Sequence, residues 1–185
     1  MTRALLIIDL QNDYFPGGAY PLAGTEVAAA NAALLLASAR ARGSLVVHVR
    51  HESGEPDAPF FRPGTDGAAI HQAVAPRAGE AVVVKSGINA FLGTDLKAVL
   101  DEAGVTELTI AGAMSHMCVD AAVRAASDFG YAVTVVQDAT ATRDLDFDGR
   151  TVAAADVQAA FMSALAFGYA SVISTTEALA APAAA

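Results

Sequence analysis

Three side chains in this sequence have the types and positions needed to turn a thiol into a nucleophile: Asp9, Lys85 and Cys118. Cys118 is the only cysteine, within Ala111-Gly112-Ala113-Met114-Ser115-His116-Met117-Cys118-Val119-Asp120. A β-leaning run, Leu108-Thr109-Ile110-Ala111, precedes it, and apolar residues three and four apart (Val119, Ala122, Val123, Ala126) follow. The thiol is thus expected where a strand ends and a helix begins. Unpaired N–H groups and the positive end of the helix dipole gather at such a turn, stabilise a thiolate and lower the thiol pKa. A buried apolar cysteine fits the same local pattern, so a nucleophile also needs an activating partner.

The candidate partners lie at the ends of two other strand-like runs. Asp9 interrupts Leu5-Leu6-Ile7-Ile8-Asp9-Leu10, and Lys85 closes Ala81-Val82-Val83-Val84-Lys85. Continuous apolar runs of this kind suit strands covered on both faces, as in parallel sheets. Strands are expected also at Leu45–Val49, Glu107–Ala111, Tyr131–Val136 and Ala170–Ile173. Helices are expected over Val27–Arg42, from Thr94 or Asp95 through Ala103, and over Val119–Asp128 and Thr151–Phe167. The alternation predicts an α/β fold, a three-layer α/β/α arrangement around a mostly parallel six-stranded, Rossmann-like sheet. Ligands of such sheets bind beyond the carboxyl ends of the strands, where Asp9, Lys85 and Cys118 all fall. Two readings fit: an ion pair closing the sheet end beside an unrelated cysteine, or a cysteine served by a carboxylate base and a cation.

The chain has 185 residues, enough for one domain, expected over 1–177 with an Ala-rich loose tail at 178–185. Hydrophobic residues make up 54%, which excludes disorder by composition. A net charge of -9 argues against nucleic acid as a partner. No apolar run is long enough to cross a bilayer and no secretory signal opens the chain, so no membrane partner is expected. A lone cysteine fits a reducing, cytoplasmic setting. The irregular stretch His51–Gly79, with Pro56, Pro59, Pro63 and Pro76, is expected to form a lid or pocket wall, with a short helix near Ala68–Ala73. Asp138–Gly149 reads as a solvated polar loop; Asp138, Asp144, Asp146 and Asp148 lack the spacing of a calcium loop.

Leu6-Ile7-Ile8-Asp9-Leu10-Gln11-Asn12-Asp13, Lys85 with Asn89-Ala90-Phe91, and Gly112 through Val119 resemble, in order and spacing, the isochorismatase-like cysteine hydrolases. That superfamily includes nicotinamidases and N-carbamoylsarcosine amidases. The resemblance implies the isochorismatase-like hydrolase fold and a catalytic triad of Asp9, Lys85 and Cys118. It also implies a cis peptide between Ala113 and Met114, and an oxyanion hole made by the backbone N–H groups of Met114 and Cys118. The implied activity is hydrolysis of a small amide through a thioester, with a homodimer or homotetramer as the assembly. Isochorismatases proper cleave a vinyl ether without a cysteine nucleophile, so Cys118 favours an amide. The alternatives are vinyl ether hydrolysis and a thiol redox sensor using Cys118, although the chain offers no resolving cysteine.

Phe15, Asn89, Phe91 and Met117 are the candidate substrate-binding residues. Nicotinamidases of this superfamily bind a divalent metal through an Asp and histidines after the second strand. Here His48, His51 and His71 occur without an Asp-x-His arrangement, and His48 and His51, three apart, face opposite sides of a continuing strand. No metal and no cofactor is therefore expected; His48 is assigned to packing, and His51 and His71 to the loop.

Overall fold

The computed structural model describes residues 2–55 and 57–181. Eight strands run β1 (Thr2–Ile8), β2 (Leu45–His51), β3 (Ala81–Lys85), β4 (Val105–Ala113), β5 (Ala132–Ala141), β6 (Leu145–Phe147), β7 (Arg150–Val152) and β8 (Ser171–Ile173). Six of them form one sheet in the order β3-β2-β1-β4-β5-β8, every pairing parallel. The reversal of order at β1 places β1 and β4 side by side at the centre, where the first and last chemistry-bearing strands meet.

Parallel neighbours need a crossover, and helices supply the covering layers. Helices α1 (Thr25–Ala41) and α5 (Thr175–Ala180) pack on one face through Ala28, Ala29, Ala32, Leu35, Leu36 and Leu179. Helices α2 (Leu96–Glu102), α3 (Asp120–Asp128) and α4 (Ala154–Gly168) cover the other through residues such as Leu96, Leu100, Val123, Ala126 and Leu165. Strand alternation divides the work: Leu6, Ile8, Val47, Val49 and Val83 face the second layer, Leu5, Ile7 and Val46 the first. No helix among the described residues is long and apolar enough to cross a membrane.

Several expectations need correction. Residues 178–181 are not a loose tail. Ser174 and Glu177 form a reciprocal capping box that starts α5, and Leu179 packs into the α1 side of the core; residues 182–185 lie outside the described residues. The polar stretch 138–149 is largely ordered, because β5 continues to Ala141 and β6 pairs with β7. Its acids are ties: Asp138 Oδ1 accepts from Thr175 N and Oγ1, each at 2.7 Å, and Asp144 Oδ1 accepts from Ala154 N at 2.8 Å, holding the starts of α5 and α4. The helix expected near Ala68–Ala73 is only a 3-10 turn at Gln72–Val74. Pro56, within the irregular stretch, lies outside the described residues.

Candidate active site

Asp9 follows β1 with a left-handed backbone (φ 51°), so its side chain turns back across the carboxyl edge of the sheet. β4 passes so close that a Cβ on Gly112 (φ 135°) would run into the carbonyl oxygen of Ile8. Beyond it the Ala113–Met114 peptide is cis. A π turn at Ser115–Val119 then leads into α3, with Val119 N donating to Met114 O at 3.2 Å. Cys118 sits in that turn, two residues before α3.

These strand ends bring Asp9, Lys85 and Cys118 together. Lys85 Nζ lies 2.8 Å from Asp9 Oδ2 and donates to Cys118 Sγ at 3.2 Å. All three residues are buried, with 0%, 2% and 5% of their surface exposed. The ammonium contacts both carboxylate and sulfur, so the ion pair and the cysteine form one cluster.

The thiol corrects an expectation. Its pKa is not depressed but pushed up to about 12, first by burial and then by the Asp9 carboxylate, with the Lys85 ammonium opposing. Removal from water outweighs the dipole of a helix that begins two residues later. Burial also raises the Asp9 carboxyl above its ordinary range, against the pull of Lys85. Burial disfavours the anion of both thiol and carboxyl, and the Lys85 ammonium offsets this for each.

His51 is the member that sequence reasoning missed. It is the last residue of β2, in register with Lys85, and its Nδ1 lies 2.8 Å from Lys85 Nζ. Burial, and then the neighbouring ammonium, lower its pKa to about 4, so the ring is neutral near pH 7. The signal was available: extending the alternation Val47, Val49 by one step puts His51 on the face that carries Lys85.

A metal does not fit the residues present. His48 Nε2 is 3.2 Å from Glu80 Oε2, whereas His71 stacks on Phe15 at 3.7 Å, its Nδ1 accepting from Ala73 N. Asp9, His51 and Cys118 do offer donor atoms within 4.8 Å of one another, but the Lys85 ammonium already contacts all three. A divalent ion there would have to displace it.

Around the cluster, Gln11 is wholly buried and orders the loop. Its Nε2 donates to His51 O and Ala68 O, each at 2.8 Å, and its Oε1 accepts from His51 N at 2.7 Å. Asp13 Oδ2 accepts from Phe61 N at 2.7 Å, tying the 52–80 segment to the loop after β1, and the Phe61 ring lies 5.8 Å from the His51 ring. Phe15 is buried against His71, and Met117 is half-buried between the two cores. Asn89 Oδ1 accepts from Phe91 N at 3.0 Å, closing its own turn. Phe91 packs against Phe129 and Tyr131, within the core of the α2–α3 layer, so its ring is committed to packing.

Known proteins share this framework. Residues 3–177 match the isochorismatase domain family. The isochorismatase family protein YddQ of Bacillus subtilis (strain 168) is 50% identical over 178 residues, covering 96% of this chain and 98% of its own. Maleamate amidohydrolase of Pseudomonas putida is 34% identical over 157 residues, covering 77% of this chain and 74% of its own. A solved isochorismatase-family structure from Oleispira antarctica superposes with a TM-score of 0.94 at 58% identity, covering 97% of each chain. With the same sheet, the same span and identity at this level, the chain belongs to the isochorismatase family of hydrolases.

Proposed function

We propose that the protein hydrolyses a carbon–nitrogen bond of a small amide through a Cys118 thioester. The observation that carries this is the Lys85 ammonium held between the Asp9 carboxylate and Cys118 Sγ; the similarity to an amidohydrolase supports the substrate class.

Asp9 takes the Cys118 proton as Sγ attacks the amide carbonyl carbon. A thiol with a pKa near 12 gives up its proton only in concert with attack, and a carboxylate whose own pKa is raised is the better base for it. Lys85 remains beside the sulfur and balances the charge that develops there. The carbonyl oxygen becomes an oxyanion, received by the backbone N–H groups of Met114 and Cys118. Collapse breaks the C–N bond, and Asp9 returns its proton to the leaving nitrogen. Water then attacks the thioester carbonyl, its proton passes through Asp9 to the departing sulfur, and the acid is released with the thiol restored. Phe15 and Met117 are the proposed pocket walls, with the Asn89 amide at the rim.

Ammonia release from a panel of small amides (nicotinamide, pyrazinamide, N-carbamoyl amino acids, linear amides and lactams) tests this. At least one should be hydrolysed, Cys118→Ala should lower the rate by about 10³-fold or more, and intact-mass analysis of quenched enzyme should show an acyl adduct on Cys118. Turnover that survives Cys118→Ala would refute the thioester route.

A further inference from the structure

An ammonium has three N–H bonds, yet Lys85 Nζ faces four acceptors: Asp9 at 2.8 Å, His51 Nδ1 at 2.8 Å, Gly87 O at 3.1 Å and Cys118 Sγ at 3.2 Å. They cannot all be served at once. In the structure the contacts to His51, Gly87 and Cys118 Sγ have hydrogen-bond geometry, and Asp9 Oδ2 is met as an ion-pair contact without a directed N–H. Once the proton has moved to Asp9, the carboxylic acid is the weaker acceptor and the sulfur the stronger. The N–H directed at Sγ therefore has reason to turn toward the Asp9 carboxylate while the thiol keeps its proton and to return to Sγ once the proton has left, while the other two stay.

We propose that His51 is a positioning residue of this active site, anchoring Lys85 through Nδ1 so that the ammonium pivots between Asp9 and Cys118. This rests on the thioester reading above. The anchor is itself built in. His51 ends β2 in register with Lys85, and the Gln11 side chain clamps its backbone by donating to its carbonyl and accepting from its N–H. Gln11 stands two residues after the base, so one loop fixes both Asp9 and the anchor. The bond to an ammonium requires an unprotonated Nδ1, which places the ring hydrogen on Nε2. That nitrogen has no hydrogen-bond partner among the described residues.

Three variants separate positioning from packing. In His51→Asn the amide oxygen can take the place of Nδ1. In His51→Gln the amide reaches the Nε2 position and leaves Lys85 without its acceptor. His51→Leu keeps bulk alone. The first readout needs no substrate: the rate of Cys118 alkylation by iodoacetamide against pH, followed by intact mass. At each pH the Asn variant should keep the wild-type rate, and Gln and Leu should be slower by about tenfold, a tenfold lower thiolate population. The second is turnover of whichever panel amide the wild type hydrolyses. Here Asn should stay within about fivefold of wild-type kcat, and Gln and Leu should lose about 30-fold or more with KM within twofold. Equal behaviour of Asn and Gln, a wild-type alkylation rate in Leu, or a loss confined to KM would overturn the proposal. If Leu fails to fold, the comparison of Asn with Gln decides. If no amide is turned over by the wild type, the thioester reading fails, while the alkylation contrast still judges the anchor.

Discussion

At the scale of the residue, the site is a buried charge problem. Asp9 and Lys85 are both withdrawn from water, and each makes the other tolerable. Removing one partner strands the other, which costs about 3–5 kcal/mol for buried pairs, whereas removing both can be nearly neutral. Lys85→Met and Asp9→Asn should each lower stability in urea by about that amount, and the double variant should recover more than half of the summed loss. Additive losses would mean that the two charges are not coupled. His51 was read as a loop residue because the apolar run appeared to end at Val49, although one more step of the same alternation puts it on the inward face. The thiol was misjudged for another reason. Its pKa depends on how much water reaches it and which carboxylate faces it, and both are long-range facts.

At the scale of the element, two close approaches hold the site. Gly112 lets β4 cross against the end of β1 at a φ of 135°, which side-chain-bearing residues rarely adopt. Gly112→Ala should destabilise the protein by about 3 kcal/mol or more and abolish activity, since the displaced strand ends would separate Asp9 from Cys118; calorimetry and assay on the same sample would check both. Asp13 ties the 52–80 segment to the loop after β1 through Phe61 N and also accepts from Ala19 N at 3.2 Å. Asp13→Ala leaves a buried N–H unpaired, worth about 1–3 kcal/mol. Limited proteolysis should then cut first within residues 53–67, where the wild type resists; an unchanged digestion pattern would show that the segment is held by other contacts. The strands were legible because apolar runs announce them. The capping box of α5 was equally local, and was overlooked because the alanines around it suggested a tail.

At the scale of the whole molecule, all the histidines share one property. Burial is the first cause of a lowered pKa at His48, His51, His71 and His116. The unfolded chain takes up protons near pH 6.5 that the folded chain refuses, so stability is full above that pH and falls as the pH drops through the window from about 6.5 toward the folded value, about 4 for His51. The melting midpoint should fall by about 5 °C or more between pH 7 and pH 5. A flat midpoint over that range would show that these rings are protonated at no cost to the fold.

The sequence by itself determined the architecture and which strand-end groups would meet. Apolar runs and helical spacing are local, and the rule that parallel sheets gather ligands at their carboxyl ends converts strand ends into a site. Asp9, Lys85 and Cys118 could therefore be named together from residues 76 and 33 positions apart. Only the tertiary structure decided the upward push on the Asp9 and Cys118 pKa values, the place of His51 and the commitment of Phe91 to the core. Each depends on burial and on neighbours distant in the chain, and electrostatic energies are set by distance and exclusion of water rather than by order along the sequence.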